Sequence, residues 1–257
     1  MNKRSNKISA VYLLPNLVTL GAMFCGFYSI ILAINELFTQ AAVFILFSMI
    51  LDGLDGRVAR LTNTQTSFGE YFDSLSDLLC FGVAPALLIY LSSLSIYTSG
   101  YLVKISYLVC FIYVASTAIR LARFNSRNQT ADKKHFIGLA SPASAAILIC
   151  YVWFLNDINA DVGSYLSLTI LLIVTLSVLM ISNIAYISFK DFNFKQKVPH
   201  VMLFAVALGI SFISFDPPKV LFMFFLIYGF SGPVLFLFRR LRRKNIYDSK
   251  LTSKNQR

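Results

Sequence analysis

Four aspartates in two pairs set the chemistry this chain can do. In the stretch LDGLDGRVARLTNTQTSFGEYFDSLSDLL, Leu51 to Leu79, Asp52 and Asp55 are three residues apart and Asp73 and Asp77 are four apart. On helices each pair presents both carboxylates on one face. Two antiparallel helices joined by a short polar loop can bring the pairs together. Four clustered carboxylates in a medium of low dielectric cannot all stay ionised without a counter-charge. All-oxygen ligation favours Mg²⁺ or Mn²⁺ over zinc, and one or two such ions can clamp a phosphoryl or pyrophosphate group. Gly53 and Gly56 each cost about 1 kcal/mol of helix propensity against alanine. Without side chains they let a phosphate approach the helix closely, while Arg57 and Arg60 supply phosphate-directed donors. A salt-bridged helix cap and a cation path through a transporter are the competing readings of acids in such a setting. The acids cluster at one membrane face and do not thread the bilayer, which speaks against a path.

The elements that must position these residues are membrane helices. The 257 residues are 57% hydrophobic and 14% charged, with a mean hydropathy of +0.68. A soluble domain carries nearer a quarter charged residues. No composition shift, repeat or low-complexity stretch marks a second domain, so residues 1–257 read as one membrane-embedded unit. Apolar runs predict a polytopic all-α bundle of eight helices near 11–34, 38–61, 71–91, 101–124, 141–156, 164–188, 199–214 and 219–238. The first run is too long for a signal-peptide core and suits a bilayer span. In this scheme 21 of the 23 Lys and Arg residues fall on one side, leaving only Lys104 and Lys219 on the other. That bias places both termini and the aspartates on the cytoplasmic side of the cell (inner) membrane. It also accounts for the net charge of +11 without nucleic acid. The tail 239–257, opening with RRLRRK, reads as a basic cytoplasmic segment against anionic lipid. Cys25, Cys80, Cys110 and Cys150 lie in apolar runs and read as small buried hydrophobes. His135 and His200 lack metal-ligand spacing and read as interfacial.

The full string D-x2-D-G-x2-A-R-x8-G-x3-D-x3-D is present as Asp52, Asp55, Gly56, Ala59, Arg60, Gly69, Asp73 and Asp77. It resembles the signature of the CDP-alcohol phosphotransferase family, membrane enzymes that displace CMP from a CDP-linked alcohol with a second alcohol. The resemblance implies that Asp52, Asp55 and Asp73 hold one divalent ion and that Asp55, Asp73 and Asp77 surround a second. Asp77 would double as the general base on the acceptor hydroxyl. Gly56, Arg60 and Thr66 match positions that contact the CDP moiety. A P-N-x-x-T element of the family's first helix stands here as PNLVT, Pro15 to Thr19, which implies Asn16 and Thr19 at the nucleotide. Homodimers are the family's expectation.

A second resemblance bears on the acceptor. AIRLARFN, Ala118 to Asn125, and FIGLASPASA, Phe136 to Ala145, resemble R-L-A-R-F-N and F-x-G-L-P-x-P of the bacterial type II phosphatidylserine synthases. Ala140 stands where that branch has proline. The implied reaction takes CDP-diacylglycerol and L-serine to phosphatidylserine and CMP. A serine carboxylate calls for a guanidinium, and Arg120 and Arg123, three apart on one helix face, are the candidates. Their alternative is to anchor the helix end at the lipid headgroups. Glycerol 3-phosphate and inositol phosphate are the other acceptors basic residues would serve.

Overall fold

The computed structural model describes residues 13–62, 64, 66–95, 100–128, 136–160, 165–186 and 200–254. Helix α1, Leu13–Ile34, begins with Pro15 in its first turn, where the missing N–H costs nothing. It ends in a left-handed residue, Glu36 (φ 62°), with Leu37 N donating to the Leu32 carbonyl at 2.9 Å. That closure reverses the chain into α2, Phe38–Leu61, and the two helices pack along their lengths as an antiparallel pair. A short loop leads to α3, Ser67–Asp77, whose first turn is capped by Thr66: its side chain accepts from Gly69 N at 3.1 Å.

Beyond Asp77 the helix does not stop. It widens into a π turn, Leu78–Val83, continues as α4, Ala84–Ile89, and widens again at Tyr90–Leu94. The rod Ser67–Leu94 is therefore continuous and starts four residues before the expected 71. Helix α5, Tyr101–Asn128, and α6, Ser141–Asp157, follow. α6 is buried on nearly every side from Ala143 to Val152, among α2, α4, α7 (Leu166–Ile181) and α9 (Pro217–Lys254), so it is the axis of the bundle. α8, His200–Phe215, packs against α9.

Among the described residues, four helical stretches are long and apolar enough to cross a bilayer: Leu14–Ile34, Ser67–Leu94, Tyr101–Ser126 and Pro217–Phe238. α2 carries four charges in its last ten residues, and α6, α7 and α8 are shorter than 18 residues.

Two boundaries differ from expectation. The helix expected over 164–188 ends at Ile181, because Ser182 leaves helical geometry (ψ 158°). The chain then forms β2, Ala185–Tyr186, antiparallel to β1, Phe136–Ile137. Gly138 N donating to the Ile184 carbonyl (2.8 Å) and Leu139 N to the Leu179 carbonyl (3.0 Å) complete this junction. These long-range bonds replace the helical ones the apolar run would otherwise have made. At the other end, α9 runs on as helix through the basic segment to Lys254. His135 and the loop lysines Lys133 and Lys134 lie outside the described residues, as do positions 11 and 12.

Candidate active site

α2 and α3 bring three carboxylates to one point. One oxygen each from Asp52, Asp55 and Asp73 lies within 4.8 Å of the others. Asp55 is 5% exposed, and Thr19 of α1 donates to its Oδ2 at 2.6 Å. Asp52 meets both Asp73 and Asp77. Asp77 sits where α3 gives way to the π turn, beside Asp52 on one side and Arg120 of α5 on the other. Asp52 and Asp55 lie about two turns inside the C-terminal end of α2.

Asp73 Oδ1 is buried and has no hydrogen-bond partner. A buried carboxylate oxygen left bare costs several kcal/mol of desolvation, by order of magnitude, unless a cation meets it. With three acidic oxygens converging and no thiol or imidazole among the three residues, the donor set fits a hard divalent cation. Asp52, Asp55 and Asp73 are the residues to hold it.

The cluster opens into a cleft of about 190 Å³ between α1, α2 and α3. Pro15, Asn16, Asp55, Gly56, Thr66 and Asp73 are among its walls. A Cβ on Gly56 would meet nothing within 4 Å, so the missing side chain is part of the open volume. At Gly69, by contrast, a Cβ would come within 3.2 Å of Thr66 Oγ1 and 3.4 Å of Asn16 Oδ1. Gly69 is what lets these two polar side chains close on the start of α3. Arg60 is exposed at the rim, its Nε donating to the Gly56 carbonyl at 2.9 Å. Thr19 borders the cleft, but its hydroxyl turns to Asp55.

Arg120 and Arg123 share a face of α5 and meet different partners. Arg120 Nη1 donates to Ser141 Oγ at the start of α6, its guanidinium lies by Asp77, and its Nε is buried with no partner. Arg123 donates to the Ser182 carbonyl (3.2 Å) and to Asn183 Oδ1 (3.3 Å), at the exposed end of α7. Arg120 is therefore tied to the start of α6 within the electrostatic influence of Asp77, and Arg123 holds the α7 terminus.

Several residues around the site escape sequence reasoning. Asn125 Nδ2 donates to Ser74 Oγ at 2.9 Å and ties α5 to α3 next to Asp73. Tyr113, fully buried, donates its hydroxyl to the Phe81 carbonyl in the π turn at 3.1 Å. Glu70 adds a further carboxylate to the cleft wall. Asn125 closes the RLARFN string and Ser141 lies within FIGLASP, so both carried a signal; Tyr113 in a uniformly apolar run carried none.

Fold and site together define a helical membrane protein with a buried carboxylate cluster at the mouth of an open cleft. The chain belongs to the CDP-alcohol phosphatidyltransferase family, whose pattern matches residues 12–182 and so takes in the four aspartates, the cleft walls, Arg120 and Arg123. It is 39% identical to a CDP-diacylglycerol–serine O-phosphatidyltransferase of Helicobacter pylori, over 90% of this chain and 94% of that one. A protein of the same name from Methanocaldococcus jannaschii is 35% identical, over 75% of this chain and 82% of its own. An archaetidylserine synthase of Methanothermobacter thermautotrophicus is 35% identical, over 70% and 72% of the two chains.

Proposed function

We propose that this protein is a phosphatidylserine synthase, transferring the phosphatidyl group of CDP-diacylglycerol to L-serine with release of CMP. The observation that carries the reading is the buried, unpartnered Asp73 oxygen beside Asp52 and Asp55 at a cleft, in a chain whose relatives over most of its length bear that activity in their names. Asn16, Gly56, Arg60 and Thr66 form the CDP subsite; Thr19, expected there too, turns its hydroxyl to Asp55 instead. Mg²⁺ or Mn²⁺, as two ions, would supply charge neutralisation at the pyrophosphate, held by Asp52, Asp55 and Asp73 and completed by Asp77.

The chain's own groups do the rest. Asp77 takes the proton of the serine hydroxyl as that oxygen bonds to the phosphorus carrying the lipid. The bond from that phosphorus to the CMP oxygen breaks, and CMP leaves past Arg60. Arg120, half-buried, with an unpartnered Nε and its charge acting on Asp77, presents the guanidinium to the serine carboxylate, and Arg123 flanks it. Such positioning and electrostatic stabilisation is most of what phosphoryl transfer requires.

The same proposal has eight spans in the cell (inner) membrane, with both termini and the cleft cytoplasmic. Its support is the 21 of 23 basic residues assigned to one side. Residues 1–257 act as one unit, the basic 239–257 segment meets anionic lipid, and two copies form a homodimer.

The test is CMP release by purified protein in detergent with CDP-diacylglycerol and Mn²⁺, adding L-serine, glycerol 3-phosphate or inositol phosphate separately. Release dependent on serine and lost on chelation by EDTA is expected. Stimulation by either phosphorylated acceptor in place of serine would sink the acceptor assignment. Within the serine reading, Arg120→Lys keeps the charge and removes the planar fork. Loss of charge-assisted hydrogen bonds worth about 1.5–3 kcal/mol predicts a rise of about 10- to 100-fold in the KM for serine. The KM for CDP-diacylglycerol should stay within about twofold, since Arg120 does not line the cleft.

A further inference from the structure

We infer that Thr19 is a positioning residue for the metal ligand Asp55, and that its hydroxyl sets the divalent-metal affinity of the site. The inference rests on the proposed metal site and deepens it. Thr19 is 4% exposed, and its Oγ1 has two acceptors within reach, the Pro15 carbonyl at 3.1 Å and Asp55 Oδ2 at 2.6 Å. A hydroxyl has one proton to give. The shorter contact, in the range typical of an O–H donating to a carboxylate, takes it.

The backbone of the same residue reaches the other carboxylate helix. The Thr19 carbonyl accepts from Ser76 Oγ at 3.4 Å, and Ser76, 3% exposed, lies between Asp73 and Asp77 on α3. α1 thus supplies no carboxylate, yet through Thr19 it is bonded to both helices that do. The hydroxyl fixes the plane of the Asp55 carboxylate, and the carbonyl fixes the face of α3 that presents Asp73. In the PNLVT element, Asn16 lines the cleft while Thr19, three residues on, reaches behind the cleft to the ligand. Groups that orient metal ligands in this way change metal affinity by about 10- to 100-fold when removed.

The experiment compares Mn²⁺ binding, by electron paramagnetic resonance of free Mn²⁺, in detergent-purified wild type, Thr19→Val and Thr19→Ser. Valine keeps the branched shape and deletes the donor; serine keeps the donor. The expected result is a loss of about 10- to 100-fold in Mn²⁺ affinity for Thr19→Val, with Thr19→Ser within about threefold of wild type. CMP affinity at saturating Mn²⁺ should not change in either. Should Thr19→Val fail to fold, Thr19→Cys, with its weak S–H donor, is expected to show the same loss. Unchanged Mn²⁺ affinity with weakened CMP binding would overturn the inference and make Thr19 a nucleotide contact. A wild-type protein that binds no Mn²⁺ would overturn the metal reading itself, and the inference with it; the wild-type arm separates the two failures.

Discussion

Asp77→Asn is expected to lower kcat for CMP release by about 10²–10⁴-fold, the range a positioned general base contributes. The amide has the shape of the carboxyl and cannot take the serine proton. Asp77 stands at the join of α3 and the π turn, between Asp52 and Arg120, while the three converging oxygens belong to Asp52, Asp55 and Asp73. The variant therefore keeps the triad and should still hold at least one Mn²⁺. Asp73→Asn has the opposite signature. It removes the charge behind the unpartnered Oδ1, so Mn²⁺ binding and activity should fall together. Steady-state CMP release and Mn²⁺ titration on both variants separate the roles. If Asp77→Asn lost Mn²⁺ as fully as Asp73→Asn, the base assignment would give way to a purely ligating one.

The contrast between the two aspartates also marks where sequence reasoning reaches its limit. Spacings of three and four residues put each pair on one helical face, and that part holds: the pairs meet. Which three oxygens converge depends on how α2 and α3 are set against each other, and no residue spacing encodes that. Arg120 and Arg123 illustrate the same limit. Their common face was legible, but Arg123 meets the α7 terminus, a neighbour brought there by the β1–β2 junction. That junction was illegible to hydropathy because 164–188 is mostly apolar and carries no charge, and hydropathy does not register where hydrogen bonds leave the helix. The π turn after Asp77 is equally silent in sequence, since its six residues, LLCFGV, read as ordinary helix. At the carboxyl terminus Arg239 to Lys244 end the apolar run, and the membrane-length stretch ends at Phe238 as expected; the helix itself continues to Lys254, because charged residues are good helix formers. The open space at Gly56 was legible, because the lack of a side chain is a local property of the chain.

Gly138→Ala is expected to be the most damaging of the glycine substitutions at the site, destabilising the protein by at least about 3 kcal/mol. Two costs add. Gly138 has φ +84°, where an L-residue is strained by about 1–2 kcal/mol. Its Cβ would also stand 2.4 Å from the Met180 carbonyl oxygen and 3.1 Å from that of Ser182. Both neighbours are backbone at the end of α7, so the β1–β2 junction would have to open for alanine to fit. Opening it endangers the bonds from Gly138 N to the Ile184 carbonyl and from Leu139 N to the Leu179 carbonyl. The consequences then reach the chemistry. The loop 138–140 delivers Ser141 to Arg120, and Ser182 is the residue whose carbonyl Arg123 holds. A variant that survives purification should therefore show a raised KM for serine together with a lowered unfolding temperature, while its Mn²⁺ affinity, set by α1, α2 and α3, stays near wild type. Gly209→Ala is the control: it lies within α8 with nothing within 4 Å of the added Cβ, and the helix should gain up to about 1 kcal/mol. Equal unfolding temperatures for the two variants would refute the strain at Gly138, and an unchanged KM for serine in Gly138→Ala would separate the junction from the acceptor site.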